Sequence, residues 1–137
     1  MIYPARQKNP LLWIMVLGMV FVLWRVYLGR APIEFRFPLH GRASWYSRSD
    51  PGIRKRTANY ESFDDRAMSA AMWGVPFGTK LRVTNKETGQ SVVVRVNDRG
   101  PHRRYVGEGR VIDLTKAAFR KISPVKKGLI NVYIEKI

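Results

Sequence analysis

The chain has 137 residues, no cysteine and a formal net charge of +15 at pH 7. This length allows one compact domain of about a hundred residues beside an N-terminal segment. Without cysteine there can be no disulfide, no thiolate nucleophile, no cysteine metal site and no lipid-attachment cysteine. The excess of basic side chains predicts a polyanion or an anionic matrix as the partner.

The first patterned segment is an apolar run over residues 10–29, in which Arg25 is the only charged residue. Its length is close to the roughly 20 residues that a helix needs to cross a bilayer. Because small residues suited to signal cleavage are poorly placed, we expect the run to remain uncleaved. The sequence therefore predicts a transmembrane anchor at 10–29, after a short basic cytoplasmic segment at 1–9 and before a linker at 30–40.

Residues 41–137 alternate short β-patterned runs with turn residues, which is typical of a small, mainly β domain. The predicted strands are 42–46, 80–84, 91–97, 110–112 and 129–135. Residues 86–89 end in glycine and predict a hairpin turn. Asp113 or Thr115 is expected to cap a short helix. Residues 62–65 have a spacing similar to a capping box, which predicts another helical turn.

The most informative stretch is the β-branched run of residues 92–96, which is followed by Asn-Asp-Arg-Gly-Pro. β-Branched residues favour a strand, and Gly100 and Pro101 end it. The pattern therefore places Asp98 at a strand end, next to Arg99. Taken alone, an aspartate in this position is better explained as an acceptor of hydrogen bonds from the turn or as a partner of Arg99.

Five further short motifs surround this strand end in a fixed order. They are Gly41-Arg42-Ala43-Ser44-Trp45-Tyr46, Thr57-Ala58-Asn59-Tyr60-Glu61-Ser62-Phe63-Asp64, Pro76-Phe77-Gly78-Thr79, Val83-Thr84-Asn85 and Arg110-Val111-Ile112-Asp113-Leu114-Thr115. Together the motifs resemble the rare lipoprotein A (RlpA) family of bacterial cell-wall proteins. The resemblance covers residues 41–137 and implies a six-stranded double-psi β-barrel with short helices, related in fold to expansins and barwin-like proteins.

The resemblance implies a septal-ring lytic transglycosylase, which cleaves the MurNAc–GlcNAc bond of peptidoglycan without water and leaves an anhydro end. Glycan cleavage usually needs a carboxylate, because the glycosidic oxygen must be protonated as the bond breaks. One group can act first as acid and then as base. Asp98 matches the family's catalytic aspartate, and Glu61 matches its functional glutamate. The residues expected to bind substrate are Arg99, Tyr60, Trp45 and Trp73.

The sequence departs from the family pattern at Met72, at Tyr60 and at Ser47, which follows the Trp-Tyr pair where glycine is common in the family. Met72 stands where the family has a histidine, and methionine cannot carry a proton. Tyr60 stands where the family usually has glycine. Two functions therefore stay open: a transglycosylase in which His102 replaces the histidine or its loss is tolerated, and a non-catalytic peptidoglycan-binding barrel. We expect a histidine restored at position 72 to raise activity.

Other polar side chains are expected to be structural, and no metal ion or other cofactor is expected. Asp113 is expected to cap a helix or to pair with Arg110, and Asp64 to cap a helical turn. Because the family works outside the cytoplasmic membrane, we expect a bacterial inner-membrane anchor at 10–29 with the barrel in the periplasm. The expected partners are peptidoglycan glycan strands, the membrane, and division or cell-wall proteins, without specific nucleic-acid binding.

Overall fold

The computed structural model describes residues 14–20 and 33–137, which belong to two separate compact units. Residues 14–20 are helical. Within the described residues, no helix is both long and apolar enough to cross a bilayer. The rest of the predicted anchor, the predicted cytoplasmic segment at 1–9 and residues 30–32 of the predicted linker lie outside the described residues.

Six strands of the second unit form a closed barrel. They are β1 (Leu39–Tyr46), β2 (Ser69–Ala71), β3 (Lys80–Asn85), β4 (Ser91–Asp98), β5 (Arg110–Thr115) and β6 (Leu129–Lys136). Their order around the barrel is β1-β5-β2-β4-β3-β6, and β6 pairs with β1 to close it. β1 runs parallel to β5 and β2 runs parallel to β4, whereas the other neighbours are antiparallel. The expected mainly β, six-stranded fold is confirmed.

Alternation of apolar side chains explains why these runs form strands. On β3, β4 and β6 every second side chain points into the core. These core residues are Leu81, Val83, Val92, Val94, Val96, Ile130, Val132 and Ile134. β2 has no counterpart among the predicted strands, because its Ser-Ala-Ala sequence has little β preference. It forms a strand because β4 and β5 pair with it on either side and bury all three residues.

Two short helices and one 3₁₀ turn connect the later strands. They are α1 (Arg103–Gly107), α2 (Lys116–Arg120) and the 3₁₀ turn Val125–Lys127. Thr115 caps α2, since its hydroxyl accepts a hydrogen bond from the Ala118 N–H at 3.4 Å. The alternative cap, Asp113, lies inside β5.

The predicted hairpin at 86–89 is confirmed, because Gly89 has a φ of 73° and its N–H donates to the Asn85 carbonyl at 2.8 Å. The predicted helical turn at 62–65 is wrong. Ser62 instead pairs with Arg56 in an isolated antiparallel β-bridge, which extends the backbone there.

The second unit begins at Ile33, before the predicted domain boundary at residue 41. Phe35 and Phe37 pack against the barrel core. Gly74 lies directly against this segment, since a Cβ at Gly74 would come within 1.8 Å of the Ile33 carbonyl oxygen. The later part of the predicted linker is therefore packed onto the barrel, because its aromatic side chains find an apolar surface there.

Candidate functional site

Two adjoining cavities form a groove in the barrel unit. The first has a volume of about 440 Å³ and the second of about 650 Å³, which is the usual size of a small-ligand site. Both cavities are lined by Gly52, Ile53, Trp73, Asp98 and Arg99. Asp98 therefore lies where the two cavities meet, together with the predicted substrate-binding residues Trp73 and Arg99.

Asp98 is the last residue of β4, and its two carboxylate oxygens have different surroundings. Oδ1 accepts hydrogen bonds from the Ala58 N–H at 2.9 Å and from the Arg99 N–H at 2.8 Å. Oδ2 accepts a hydrogen bond from the Tyr46 hydroxyl at 3.4 Å. Two backbone donors thus fix the orientation of the carboxylate, and Oδ2 is the oxygen that can exchange a proton with a bound molecule.

Tyr46 forms the floor of the groove beneath Asp98. Its side chain is 8% exposed, and its ring stacks on Phe63 with the centroids 4.8 Å apart. Burial first, and then the charge of Asp98, raise the pKa of the Tyr46 hydroxyl well above its usual range. The hydroxyl therefore stays neutral and donates its hydrogen to Asp98.

Glu61 is held in an ion pair away from the groove. Its two carboxylate oxygens accept from Arg95 at 2.9 and 2.7 Å, and Asn97 Nδ2 donates to one of them at 3.1 Å. These hydrogen bonds, that of Arg95 first, lower the pKa of Glu61 to about 2. Glu61 is not among the residues that line either cavity. At neutral pH it is an ionised acceptor and not a proton donor.

Glu61 also closes the turn that supplies a donor to Asp98. The Thr57 N–H donates to the Glu61 carbonyl at 2.9 Å, and the Tyr60 N–H donates to the Thr57 carbonyl at 2.9 Å. The Ala58 N–H projects from this turn onto Asp98. The ion pair of Glu61 with Arg95 therefore holds the turn against β4. This turn then presents the Ala58 N–H that orients the Asp98 carboxylate.

Tyr60 lies on the outside of the same turn. Its side chain is 80% exposed and lines neither cavity. Its φ is 69°, in the left-handed region that favours glycine. The backbone of this turn therefore explains why glycine suits the position in the rare lipoprotein A motif.

Met72 does not point into the groove. Its side chain is fully buried in the barrel core, whereas the preceding residue, Ala71, lines the second cavity. The groove uses the backbone of Met72 instead: its N–H donates to the Asp98 carbonyl at 3.1 Å, and its carbonyl accepts from Arg99 Nη1 at 2.9 Å. The Met72 side chain is therefore a packing residue of the core, and only the main chain of Met72 contacts Asp98 and Arg99.

The two predicted tryptophans line the groove with their indole N–H groups already engaged. Trp73 lines both cavities, and its Nε1 donates to the Pro101 carbonyl at 2.7 Å. Trp45 lines the second cavity only, and its Nε1 donates to the Val125 carbonyl at 2.9 Å. Both side chains are half-buried, so each presents ring surface rather than a hydrogen-bond donor.

The remaining acids and histidine of the motifs have structural partners. Asp113 Oδ1 accepts from Arg110 Nε at 2.8 Å and from the Ser44 hydroxyl, as expected for a partner of Arg110, but Asp113 also lines the second cavity. Asp64 accepts from the Arg66 N–H at 2.9 Å within an exposed turn. His102 lines the second cavity and caps α1. Across the described residues, no three His, Asp or Glu side chains are placed to hold a metal ion.

The sequence analysis did not predict four residues that line the first cavity only. They are Arg54, Arg56, Thr57 and Ala58. The signal in the sequence was the Arg-Lys-Arg run that leads into the Thr-Ala motif. Ala58 could not be found from side-chain chemistry, because its backbone N–H is the group that acts.

Comparison with known proteins identifies the family. The chain matches the family model described as lytic transglycolase over residues 39–134. It is 45% identical over 106 residues to the probable endolytic peptidoglycan transglycosylase RlpA of Nostoc sp., a match that covers 77% of this chain and 28% of that protein. The protein of the same name from Synechocystis sp. is 50% identical over 96 residues, covering 69% of this chain and 28% of the relative. The matched region is thus less than a third of each relative.

A solved structure shows the same architecture. The expansin of Clavibacter michiganensis matches with a TM-score of 0.52 and 26% identity, over 72% of this chain and 49% of that chain. The family model covers most of the chain and nearly all of the barrel. The chain therefore belongs to the lytic transglycolase family and is an RlpA-like double-psi β-barrel.

Proposed function

We propose that this chain is a lytic transglycosylase that cleaves the MurNAc–GlcNAc bond of peptidoglycan, with Asp98 as the general acid and base. The observation that carries the proposal is the position of Asp98 at the meeting point of two cavities, with one oxygen fixed by two backbone N–H groups. The names of the relatives from Nostoc and Synechocystis support the same substrate and reaction.

The proposed reaction needs only one proton-transferring group. Asp98 gives its proton to the glycosidic oxygen as the bond from that oxygen to the anomeric carbon of MurNAc breaks. The primary hydroxyl of the same sugar then attacks the anomeric carbon, and Asp98 takes the hydroxyl proton. The anhydro ring forms, Asp98 regains its proton, and no water is consumed.

The other residues have supporting roles in this proposal. Arg99 and Trp73 border Asp98 in both cavities and contact the sugars on either side of the scissile bond. Trp45 offers ring surface in the second cavity. Glu61 acts as a positioning residue through the turn that holds Ala58, because its ion pair with Arg95 keeps it ionised. Tyr60 contacts glycan that extends beyond the groove.

Mass spectrometry of digested peptidoglycan tests the proposal. The purified full chain is incubated with peptidoglycan that carries peptide stems and with stem-free glycan, and the products are compared with those of Asp98→Asn. We expect anhydro-ended fragments from the wild type and none from the variant, whose amide oxygen can still accept both backbone hydrogen bonds. Asp64→Asn, which changes an exposed turn carboxylate, is the matched control. Retained binding without fragments would leave the peptidoglycan-binding barrel as the function.

We further propose that residues 10–29 anchor the chain in the bacterial inner membrane and that the barrel faces the periplasm. The apolar run and the extracytoplasmic location of peptidoglycan support this arrangement. Cell fractionation with alkaline extraction should leave the chain in the membrane pellet. Protease added to intact spheroplasts should digest the barrel, whereas protection of the barrel would reverse the proposed orientation.

A further inference from the structure

The first cavity has an unusual charge composition for a groove that holds a catalytic carboxylate. It is lined by three arginines, Arg54, Arg56 and Arg99, and by a single acid, Asp98. Four ion pairs join acids to bases in the described part of the chain, and none of them includes these three arginines. Their positive charge therefore exceeds the negative charge in the cavity.

Two of these guanidinium groups are oriented by neutral acceptors. Arg56 Nη1 donates to the Tyr60 carbonyl at 3.2 Å. Arg99 Nη1 donates to the Met72 carbonyl at 2.9 Å, and its guanidinium stacks on the Phe77 ring at 3.7 Å. A carbonyl or an aromatic ring fixes the direction of a guanidinium without neutralising it, so the remaining N–H groups stay available to an anion.

The second cavity differs from the first in the charge of its lining and in the partners of its arginines. Besides Arg99, which lines both cavities, the second cavity has Arg110, which already pairs with Asp113 at 2.8 Å, and Asp50 adds another carboxylate to the lining. Its other large side chains are aromatic, including Trp45 and Tyr105. The groove is therefore asymmetric about Asp98: Arg54 and Arg56 line the first cavity only, whereas the second cavity adds aromatic rings and carboxylates.

We infer that Arg54, Arg56 and Arg99 form a subsite for a carboxylate of the glycan substrate, on one side of Asp98. The inference rests on the proposed function. The carboxylate is either that of the lactyl group on a stem-free muramic acid or one carried by a peptide stem. In both cases the carboxylate-bearing sugar lies in the first cavity and the neutral glucosamine extends toward the second, so the strand binds in one direction only. Planar guanidinium groups match a carboxylate with paired hydrogen bonds.

Binding measurements with three glycans of equal length test this subsite. The probes are neutral N-acetylglucosamine oligosaccharides, stem-free peptidoglycan strands and stem-bearing strands, each titrated against the full chain with Asp98→Asn to prevent cleavage. The test variant adds Arg54→Gln and Arg56→Gln. Arg99 is left intact, because its hydrogen bond and ring contact hold the wall of the groove.

The matched control adds Arg48→Gln and Arg120→Gln, which remove the same charge from exposed positions that line neither cavity. We expect the test variant to bind carboxylate-bearing glycan about tenfold more weakly and neutral oligosaccharide unchanged, with less than a twofold change in the control. Loss on stem-free strands identifies the lactyl carboxylate, and loss confined to stem-bearing strands identifies the stem.

Three results would overturn the subsite: an equal loss on the neutral oligosaccharides, an equal loss in the control, or no loss on either carboxylate-bearing strand. These outcomes leave the proposed function intact if the wild-type chain still releases anhydro-ended fragments. Absence of fragments and of binding to every glycan would instead reject the proposed function, and the subsite with it.

Discussion

The hydroxyl of Tyr46 donates a hydrogen bond to Oδ2 of Asp98, the oxygen that the backbone donors leave free. The bond joins the last residue of β1 to the last residue of β4 across the floor of the groove. Since burial keeps the pKa of Tyr46 far above neutral, the hydroxyl stays a neutral donor at neutral pH.

Tyr46→Phe is expected to lower the rate of fragment release about tenfold, because it removes a hydrogen bond to the negative charge that develops on Asp98 as its proton leaves. The melting temperature should change little, since the phenylalanine ring can still stack on Phe63. Initial rates on stem-free glycan and thermal melts measure the two effects. Tyr133→Phe, which removes a hydroxyl from β6, is the control. An unchanged rate in Tyr46→Phe would show that the hydroxyl does not assist Asp98.

Glu61→Gln is expected to change how stability depends on pH. The hydrogen bonds from Arg95 and Asn97 lower the pKa of Glu61 from its ordinary value of 4.5 to about 2, so the ionised side chain stabilises the fold fully above pH 4.5. This contribution disappears as the pH falls from 4.5 toward 2. The difference in melting temperature between wild type and Glu61→Gln should therefore be constant above pH 4.5 and shrink below it.

Arg95→Gln is the matched control for this effect, because it removes the partner and leaves the carboxylate. The difference in melting temperature between wild type and Arg95→Gln should likewise shrink below pH 4.5. Both variants should also slow fragment release at neutral pH, since the turn that carries Ala58 loses its tie to β4. A constant difference between wild type and Glu61→Gln down to pH 2 would contradict the ion-pair role.

Met72→His is expected to destabilise the barrel by about 1–3 kcal/mol, because it buries a polar ring among apolar side chains. It should not raise activity, in contrast to the expectation from the family motif alone. Met72→Leu keeps the volume and should cost less than about 1.5 kcal/mol. Urea denaturation and initial rates test both variants. A faster rate at unchanged stability in Met72→His would place the position 72 side chain in the groove after all.

Tyr60 combines a strained backbone with an exposed ring, and two substitutions separate these properties. Tyr60→Ala removes the ring and keeps the left-handed strain, whereas Tyr60→Gly removes both. We expect Tyr60→Gly to be about 1 kcal/mol more stable than Tyr60→Ala. Both should bind glycan equally weakly if the ring contacts the substrate. Equal stability of the two variants would show that the turn relaxes without glycine.

Local patterns predicted a small, mainly β domain and the position of Asp98 at a strand end, whereas the six-stranded barrel was predicted from the resemblance to the rare lipoprotein A family. The β-branched run of β4 and the Gly-Pro stop determine where Asp98 lies, whatever the rest of the fold does. The role of Glu61 could not be predicted in this way, because Arg95 is distant in sequence and meets it only after β4 has formed. β2 was missed for a related reason: its small residues form a strand only between two neighbours.

A sequence motif specifies side chains, but at position 72 the groups that contact the groove belong to the main chain. At this position the side chain serves the hydrophobic interior, while the amide and carbonyl that reach Asp98 and Arg99 belong to the main chain, which every amino acid except proline provides in full. A replacement at this position that fits the core therefore preserves the groove geometry. Conversely, a small shift of β2 would disturb the main-chain contacts with Asp98 and Arg99 without any change in the sequence of the motif.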